Sequence, residues 1–246
     1  MRLQARVISL QRTPERLARF RAVNRHIRAD LLQAVDGAAA DRAALETSGI
    51  IAPNLPYTNG ALGNTLSHLA FWDQVLAAQR PMTVFEDDAV VNGQFMETAT
   101  AVLGTLPSDW HICLWGFNFD DHLAFGPLPG IATCVASFDQ DALRANLDKF
   151  RHLKLRPVAY RLLRAFGIVS YAISPAGAKL LRERCLPVPA VAFQLPGLPH
   201  PTRNTGFDVT LNALGYPHVN AYVCFPPLVV TPNDWSTSTV QTAQPR

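Results

Sequence analysis

The sequence predicts an α/β fold: one Rossmann-type domain with a mostly parallel central sheet flanked by helices. Three observations carry this expectation. Short β-branched apolar runs alternate along the chain with stretches of helical periodicity. The opening "ARVISLQRTPERL" reads as strand, turn and helix start in immediate succession. The 246 residues, 48% hydrophobic and 17% charged, suffice for one sizeable core and are too apolar for a disordered chain.

"ARVISL" (5–10) is a buried strand, and Thr13, Pro14 and Glu15 sit at the N-cap, first and second positions of the helix that follows. "LLQAVDG" predicts a second strand ending in a turn at Asp36-Gly37. "NGALGNTLSHLAFWDQVLAAQ" is helical, with Leu62, Leu66, Leu69 and Leu76 near one side, and Pro81 ends it. "MTVFEDDAVV" is a central strand, "QFMETATAVLGTL" a helix and "WHICLWGF" (110–117) a buried strand. "ALRANLDKFRHL" has helical spacing, "FGIVSYAIS" is a strand and "PAGAKLLRERC" a helix from Pro175. Residues 187–206 hold five prolines and predict a long loop of the kind that forms lids or acceptor platforms. "FDVTLNALG" gives a short helix, "HVNAYVCFPPLVV" a strand, and about 232–246 a polar, mobile tail. No repeat or linker divides residues 1–246.

The net charge of +3 does not indicate nucleic acid as a partner. Its distribution favours small anions or a lipid surface, with eight arginines in residues 1–30 and a second basic cluster from Lys149 to Arg164. That second stretch permits an amphipathic helix interrupted by Pro157, although a solvated charged face is the simpler reading. Cys113, Cys134, Cys185 and Cys224 are scattered without metal-finger spacing and read as free thiols of a reducing compartment. The N-terminus has no signal-peptide pattern, and no apolar run approaches a membrane span. The expected location is cytoplasmic, with peripheral contact to the inner face of the membrane through basic residues.

The chemistry concentrates in "TVFEDDAVV", where Glu86, Asp87 and Asp88 stand together at the end of a predicted strand. Ligand sites of parallel α/β sheets lie beyond the carboxyl ends of the strands. On an extended segment Glu86 and Asp88 share a face while Asp87 points away. Such a pair suits Mn²⁺ or Mg²⁺ completed by substrate phosphates; an acidic helix cap or an arginine partner is the bland alternative.

"VISLQRTPERLARF", "AVDG", "LGNTLSHLAFWDQVL", "TVFEDDAVV" and "FGIVSYAISPAGAKLL" follow one another in the order and approximate spacing of glycosyltransferase family 25. The resemblance runs from about residue 7 to about 239. It implies a GT-A-like fold, a UDP-sugar donor, a divalent cation (Mn²⁺ or Mg²⁺), a saccharide or glycolipid acceptor such as a bacterial surface glycan, and inversion at the anomeric carbon. Carried onto this sequence, it assigns Glu86 and Asp88 to the metal and Arg12, Arg16, Asp36, Ser67, His68 and Asp87 to the donor side. An acceptor-side base is expected at Asp208, with Asp120 and Asp121 next. His68 could equally be a core histidine, His218 could add a metal ligand, and Trp235 is the tryptophan placed to stack on a sugar or base. Trp72, Trp110 and Trp115 read as core. Two departures stand out: Gly63-Asn64-Thr65 where the family has glycine–cysteine–alanine, and Thr231-Pro232-Asn233-Asp234 where it has a glutamine-bearing segment. Alternatives are a different metal-dependent nucleotide-processing enzyme, which would want a phosphate loop absent from "ISLQRTPER", and a family member that binds without catalysis.

Overall fold

The computed structural model describes residues 3–195 and 197–234. The chain runs through β1 (Gln4–Ser9), α1 (Pro14–Val23), β2 (Asp30–Gln33), α2 (Arg42–Thr47), α3 (Asn59–Ala78) and β3 (Met82–Glu86). Then come β4 (Val90–Val91), α4 (Phe95–Thr105), β5 (Ile112–Gly116), the hairpin β6 (Leu123–Leu128) and β7 (Ala132–Ala136), and the short helices α5 (Gln140–Ala145) and α6 (Leu147–His152). The last third holds β8 (Val158–Arg164), β9 (Ser170–Ile173), α7 (Pro175–Cys185), β10 (Ala192–Phe193), β11 (Thr202–Arg203), α8 (Phe207–Thr210), β12 (Ala221–Phe225) and β13 (Val229–Val230).

Nine strands form one sheet in the order β2-β1-β3-β9-β5-β12-β8-β6-β7. Following the pairings across it, β2, β1, β3, β5, β12 and β6 run one way, while β9, β8 and β7 run the other. The fold is therefore α/β with a large, mostly co-directional central sheet, and the antiparallel β9 is wedged between β3 and β5. Side-chain alternation divides the core between the two faces. Ile112 and Leu114 of β5 and Tyr171 and Ile173 of β9 pack with α3, α7 and α8 on one side. Cys113, Trp115 and Ala172 pack with Phe20 of α1 and Phe95, Ala99 and Val102 of α4 on the other. Trp72 and Trp115 are core residues, as expected, and all four cysteines are free thiols, three of them buried.

Local signals explain most element boundaries. Thr58 caps α3 by accepting from the Ala61 N–H, and Gln79 ends it in the left-handed region at φ 49°. Thr13 stands at the N-cap of α1 but makes no capping bond. Instead its hydroxyl donates to Leu10 O at 3.4 Å. The predicted helix over 142–153 is two short helices meeting at Asn146.

The larger corrections lie in the second half. The hairpin β6–β7 and strand β8 were not expected, and the basic stretch does not form one amphipathic helix. Only its first part is helical, in α6; after Pro157 the chain enters β8, with Arg161 over the Tyr222 ring and Arg164 buried at 3% exposure. The 187–206 loop carries the small hairpin β10–β11. The first residues of the predicted mobile tail are pinned: Arg144 donates to the carbonyls of Pro232 and Asn233 at 2.8 and 2.9 Å.

One close backbone approach positions the site. Gly37 of the turn after β2 lies against Gly63 of α3, so that a Cβ on Gly63 would sit 2.6 Å from Val35 O and 2.7 Å from Gly37 N. The turn can press on the helix only while both lack side chains. Gly63→Ala should therefore cost about 1–3 kcal/mol in urea unfolding. Gly104, in the last turn of α4 with open space around it, provides the contrast: Gly104→Ala should gain about 0.5–1 kcal/mol. Equal effects of the two substitutions would refute the close-contact reading.

Candidate functional site

The carboxyl ends of β1, β2 and β3 open onto a cleft bordered by Arg12, Arg16, Asp36, Ser67, Glu86, Asp87 and Asp88. Its cavity volume is about 90 Å³, less than a nucleotide occupies, so a ligand of that size would lie along an open groove. A second cavity of about 280 Å³ lies on the other side of Asp87 and Asp88, between α1 and the α5–α6 segment.

β3 ends at Glu86, and the Ala89 N–H bonds to Glu86 O to close a turn, so strand alternation no longer governs Asp87 and Asp88. Each carboxylate turns to a different neighbourhood. Asp87 faces α1 and β1: it accepts from the Ser9 hydroxyl at 2.7 Å and from Arg16 Nε at 2.7 Å, and is 8% exposed. The bland alternative of an arginine partner thus holds for Asp87. Glu86 faces α3: Oε1 accepts from Asn64 Nδ2 at 2.6 Å and lies 3.4 Å from His68 Nε2. Behind it, Trp72 Nε1 donates to the Tyr171 hydroxyl at 2.9 Å, and that hydroxyl lies 3.0 Å from His68 Nδ1. In the tautomer in which Nδ1 accepts the tyrosine proton, Nε2–H points at Glu86. Burial pushes the Glu86 carboxyl up, but His68, Asn64 and Arg16 together more than offset this and hold it below the usual range.

Asp88 is left over. Arg16 is 3.8 Å from its Oδ2, and its Oδ1 is buried with no hydrogen-bond partner among the described residues. Burial first, then the Glu86 charge, pushes its carboxyl up to about 7, against the partial relief of Arg16.

The cleft thus gathers seven of the residues assigned from sequence. Arg12 and Asp36 pair at its rim, Nε to Oδ2 at 2.8 Å. Ser67 borders the floor of the cleft and His68 lies beneath it, both buried and both bracing their neighbours. The Ser67 hydroxyl accepts from Val35 N–H at 2.9 Å and donates to Gly63 O at 2.6 Å, and His68 supports Glu86. His218 is exposed before the start of β12, at the sheet end opposite the acidic turn, and is no metal ligand for this site. Among the described residues no group of three or more His, Cys, Asp or Glu side chains forms a metal cage. Trp235 falls outside the described residues.

The base candidates lie off the cleft. Asp208, in the first turn of α8, accepts from Gly167 N–H and Val209 N–H at 2.9 Å each. Burial raises its carboxyl above the usual range despite those bonds, and the charges of Glu86 and Asp121 push the same way. Asp120 accepts from Asn233 Nδ2 at 2.6 Å and is also raised, chiefly by burial. Asp121 Oδ1 accepts its neighbour His122's N–H at 2.6 Å.

Sequence reading did not single out Ser9 or Tyr171, and it took Asn64 and Asn233 only as parts of departures from the family pattern. Asn64 lies one helical turn before His68 on α3, a spacing that does point at one target. Ser9 follows Ile8, which pairs with Glu86 across β1–β3, so the register brings it beside Asp87. Nothing local in the sequence marks Tyr171.

These features define an α/β protein with an acidic, open groove at the carboxyl ends of its first strands. The sequence pattern of glycosyltransferase family 25 (LPS biosynthesis protein) matches residues 3–193, and the chain belongs to that family. It is 29% identical over 174 residues to "Probable inactive glycosyltransferase 25 family member 3" of Rattus norvegicus, covering 64% of this chain and 30% of the relative. The Mus musculus "Inactive glycosyltransferase 25 family member 3" is 28% identical over 174 residues, with 64% and 29% covered. The chain therefore spans under a third of the length of these curated relatives. No helix among the described residues is long and apolar enough to cross a membrane.

The raised carboxyl of Asp88 has a measurable consequence. A folded-state value above the unfolded 3.8 stabilises the protein below about pH 4, and that contribution is lost as pH rises through about 7. Asp88→Asn removes the loss. Urea unfolding of variant and wild type should diverge in the variant's favour between pH 5 and 8; parallel curves would show that Asp88 is not held in a costly environment.

Proposed function

We propose that the chain is a metal-dependent, inverting glycosyltransferase that moves a hexose, galactose foremost, from a UDP-sugar to a saccharide or glycolipid acceptor such as a bacterial surface glycan. The observation that carries this reading is the acidic turn of a family 25 chain whose Asp88 has a buried, unpartnered carboxylate oxygen beside the open groove. That oxygen is buried and unpaired, a cost that a cation would relieve, while Arg16 and Thr231 partly compensate the rest of the group. Two protein carboxylates suit Mn²⁺ or Mg²⁺, which take their remaining oxygens from phosphates and water. Asp88 and the second oxygen of Glu86 would hold the ion, which supplies Lewis-acid stabilisation of charge on the departing diphosphate.

The remaining chemistry belongs to the chain. Arg12 and Asp36 at the rim suit the nucleoside end of the donor. Arg16 keeps Asp87 compensated, so that the acidic turn holds its shape without a ligand. Asp208 takes the proton of the acceptor hydroxyl as that oxygen bonds to the anomeric carbon and the bond to the diphosphate breaks on the opposite face. Burial raises its carboxyl above the usual range, which makes it a stronger base than a solvated aspartate. Asp120 and Asp121 are the second choice; Asp120 accepts from the Asn233 amide, as Asp208 accepts from the Gly167 and Val209 N–H groups. The reading includes a cytoplasmic location with contact to the inner membrane surface.

A second reading, nucleotide or glycan binding without transfer, is favoured by the names of the two mammalian relatives. Thermal unfolding with UDP, ADP or GDP, each with and without Mn²⁺, separates the cases. At about 100 times its dissociation constant, UDP with Mn²⁺ should stabilise the wild type by about 2.7 kcal/mol. Asp88→Ala should abolish the effect, and a shift with none of the nucleotides would sink the transferase reading and leave glycan binding without transfer. In a transfer assay, Asp208→Asn should lower turnover by about 10²–10⁴-fold while leaving the nucleotide-induced shift intact. A wild type that binds UDP but transfers to no saccharide would leave the binding-only reading standing.

A further inference from the structure

We propose that Arg144 is a positioning residue that holds the segment 231–234 as the outer wall of the donor groove. Resting on the donor reading above, this gives the Thr-Pro-Asn-Asp departure from the family pattern a role. The segment leaves β13, which pairs with β4 immediately after the acidic turn, so both walls hang from one two-stranded ribbon. From there Asn233 and Asp234 reach the groove that Arg12, Asp36 and Asp88 also border.

This path is not a strand or a helix, and its conformation is fixed by donors from α5. Arg144 Nε donates to Pro232 O at 2.8 Å and NH2 to Asn233 O at 2.9 Å, a fork across consecutive carbonyls. Gln140, one helical turn earlier and 7% exposed, adds a bond from Nε2 to Pro232 O at 3.1 Å. Asn233 is held with φ at 44°, and its N–H bonds to the Thr231 hydroxyl at 3.0 Å. Its amide then donates to Asp120 at 2.6 Å, linking the wall to the far side of the site. Proline at 232 offers no N–H, so the carbonyls are the handles this stretch gives to α5. The guanidinium meets two of them at once, which a lysine cannot do. The third donor, NH1, pairs at 2.6 Å with Asp141, which is 91% exposed and has no part in the wall.

Loss of the fork should let the wall swing away from the groove and weaken donor binding. The test is calorimetric titration of UDP with Mn²⁺ into wild type, Arg144→Ala and Asp141→Ala, alongside their melting temperatures. Arg144→Ala should raise the dissociation constant about tenfold, as expected for losing a charged donor to the backbone, and Asp141→Ala should leave it unchanged. In a transfer assay the same variant should raise donor KM and leave acceptor KM in place. A residue that merely braced the fold would lower the melting temperature at an unchanged dissociation constant, and that result overturns the proposal. If Arg144→Ala does not fold, Gln140→Leu carries the same comparison with a smaller expected rise. A wild type that binds no UDP removes the donor reading and this inference with it, whereas wild-type binding that survives Arg144→Ala unchanged removes the inference alone.

Discussion

Three consecutive carboxylates can be packed at the end of an interior strand only if each receives its own compensation. Glu86, Asp87 and Asp88 receive theirs from different layers of the molecule, and that division organises the site. Asp87 is joined to Arg16 and Ser9, which fastens α1 to the turn. Glu86 is joined to Asn64 and His68, which fastens α3 to it, with Tyr171 and Trp72 behind. Asp88 retains an oxygen without a protein partner. Two carboxylates therefore act as structural anchors, and the third carries the electrostatic cost that a bound cation would relieve.

The sheet makes this division possible. β3 lies between β1 and β9, so its end meets the Ser9 edge on one side and residues near Tyr171 on the other. The Gly37–Gly63 contact draws the turn after β2 onto α3, and Ser67 ties that turn to the helix a second time. The groove floor is built from elements scattered over the first half of the chain, while its outer wall comes from the last described residues. This long-range assembly fits a region that must hold its shape when empty.

The opening strand, α1, α3, β3 and β5 were legible because each carries its own signal in hydrophobic period, caps or flanking proline. Glu86, Asp87 and Asp88 were legible as chemistry for the same reason: like charges in a row seldom serve packing. Their separate fates were not legible. Strand alternation paired Glu86 with Asp88 and set Asp87 aside, but the turn after Glu86 ends the alternation, and Asp87 goes to an arginine 71 residues away. The β6–β8 region escaped because Gly126 and Pro127 interrupt β6, and the charged, half-exposed β8 resembles a helix surface more than a strand. The pinned segment after β13 escaped because α5 grips it by carbonyl oxygens, which every residue has and no sequence pattern announces.

The central proposal is that Asp88, with the second oxygen of Glu86 beside it, holds a cation, while Asp87 serves the fold. Titrating Mn²⁺ in the presence of UDP, followed by the electron paramagnetic resonance of free Mn²⁺, compares wild type with Asp87→Asn and Asp88→Asn directly. Binding retained in Asp87→Asn and lost in Asp88→Asn is the expected result. Binding retained at wild-type strength in Asp88→Asn would contradict the assignment and return the acidic run to a purely structural role.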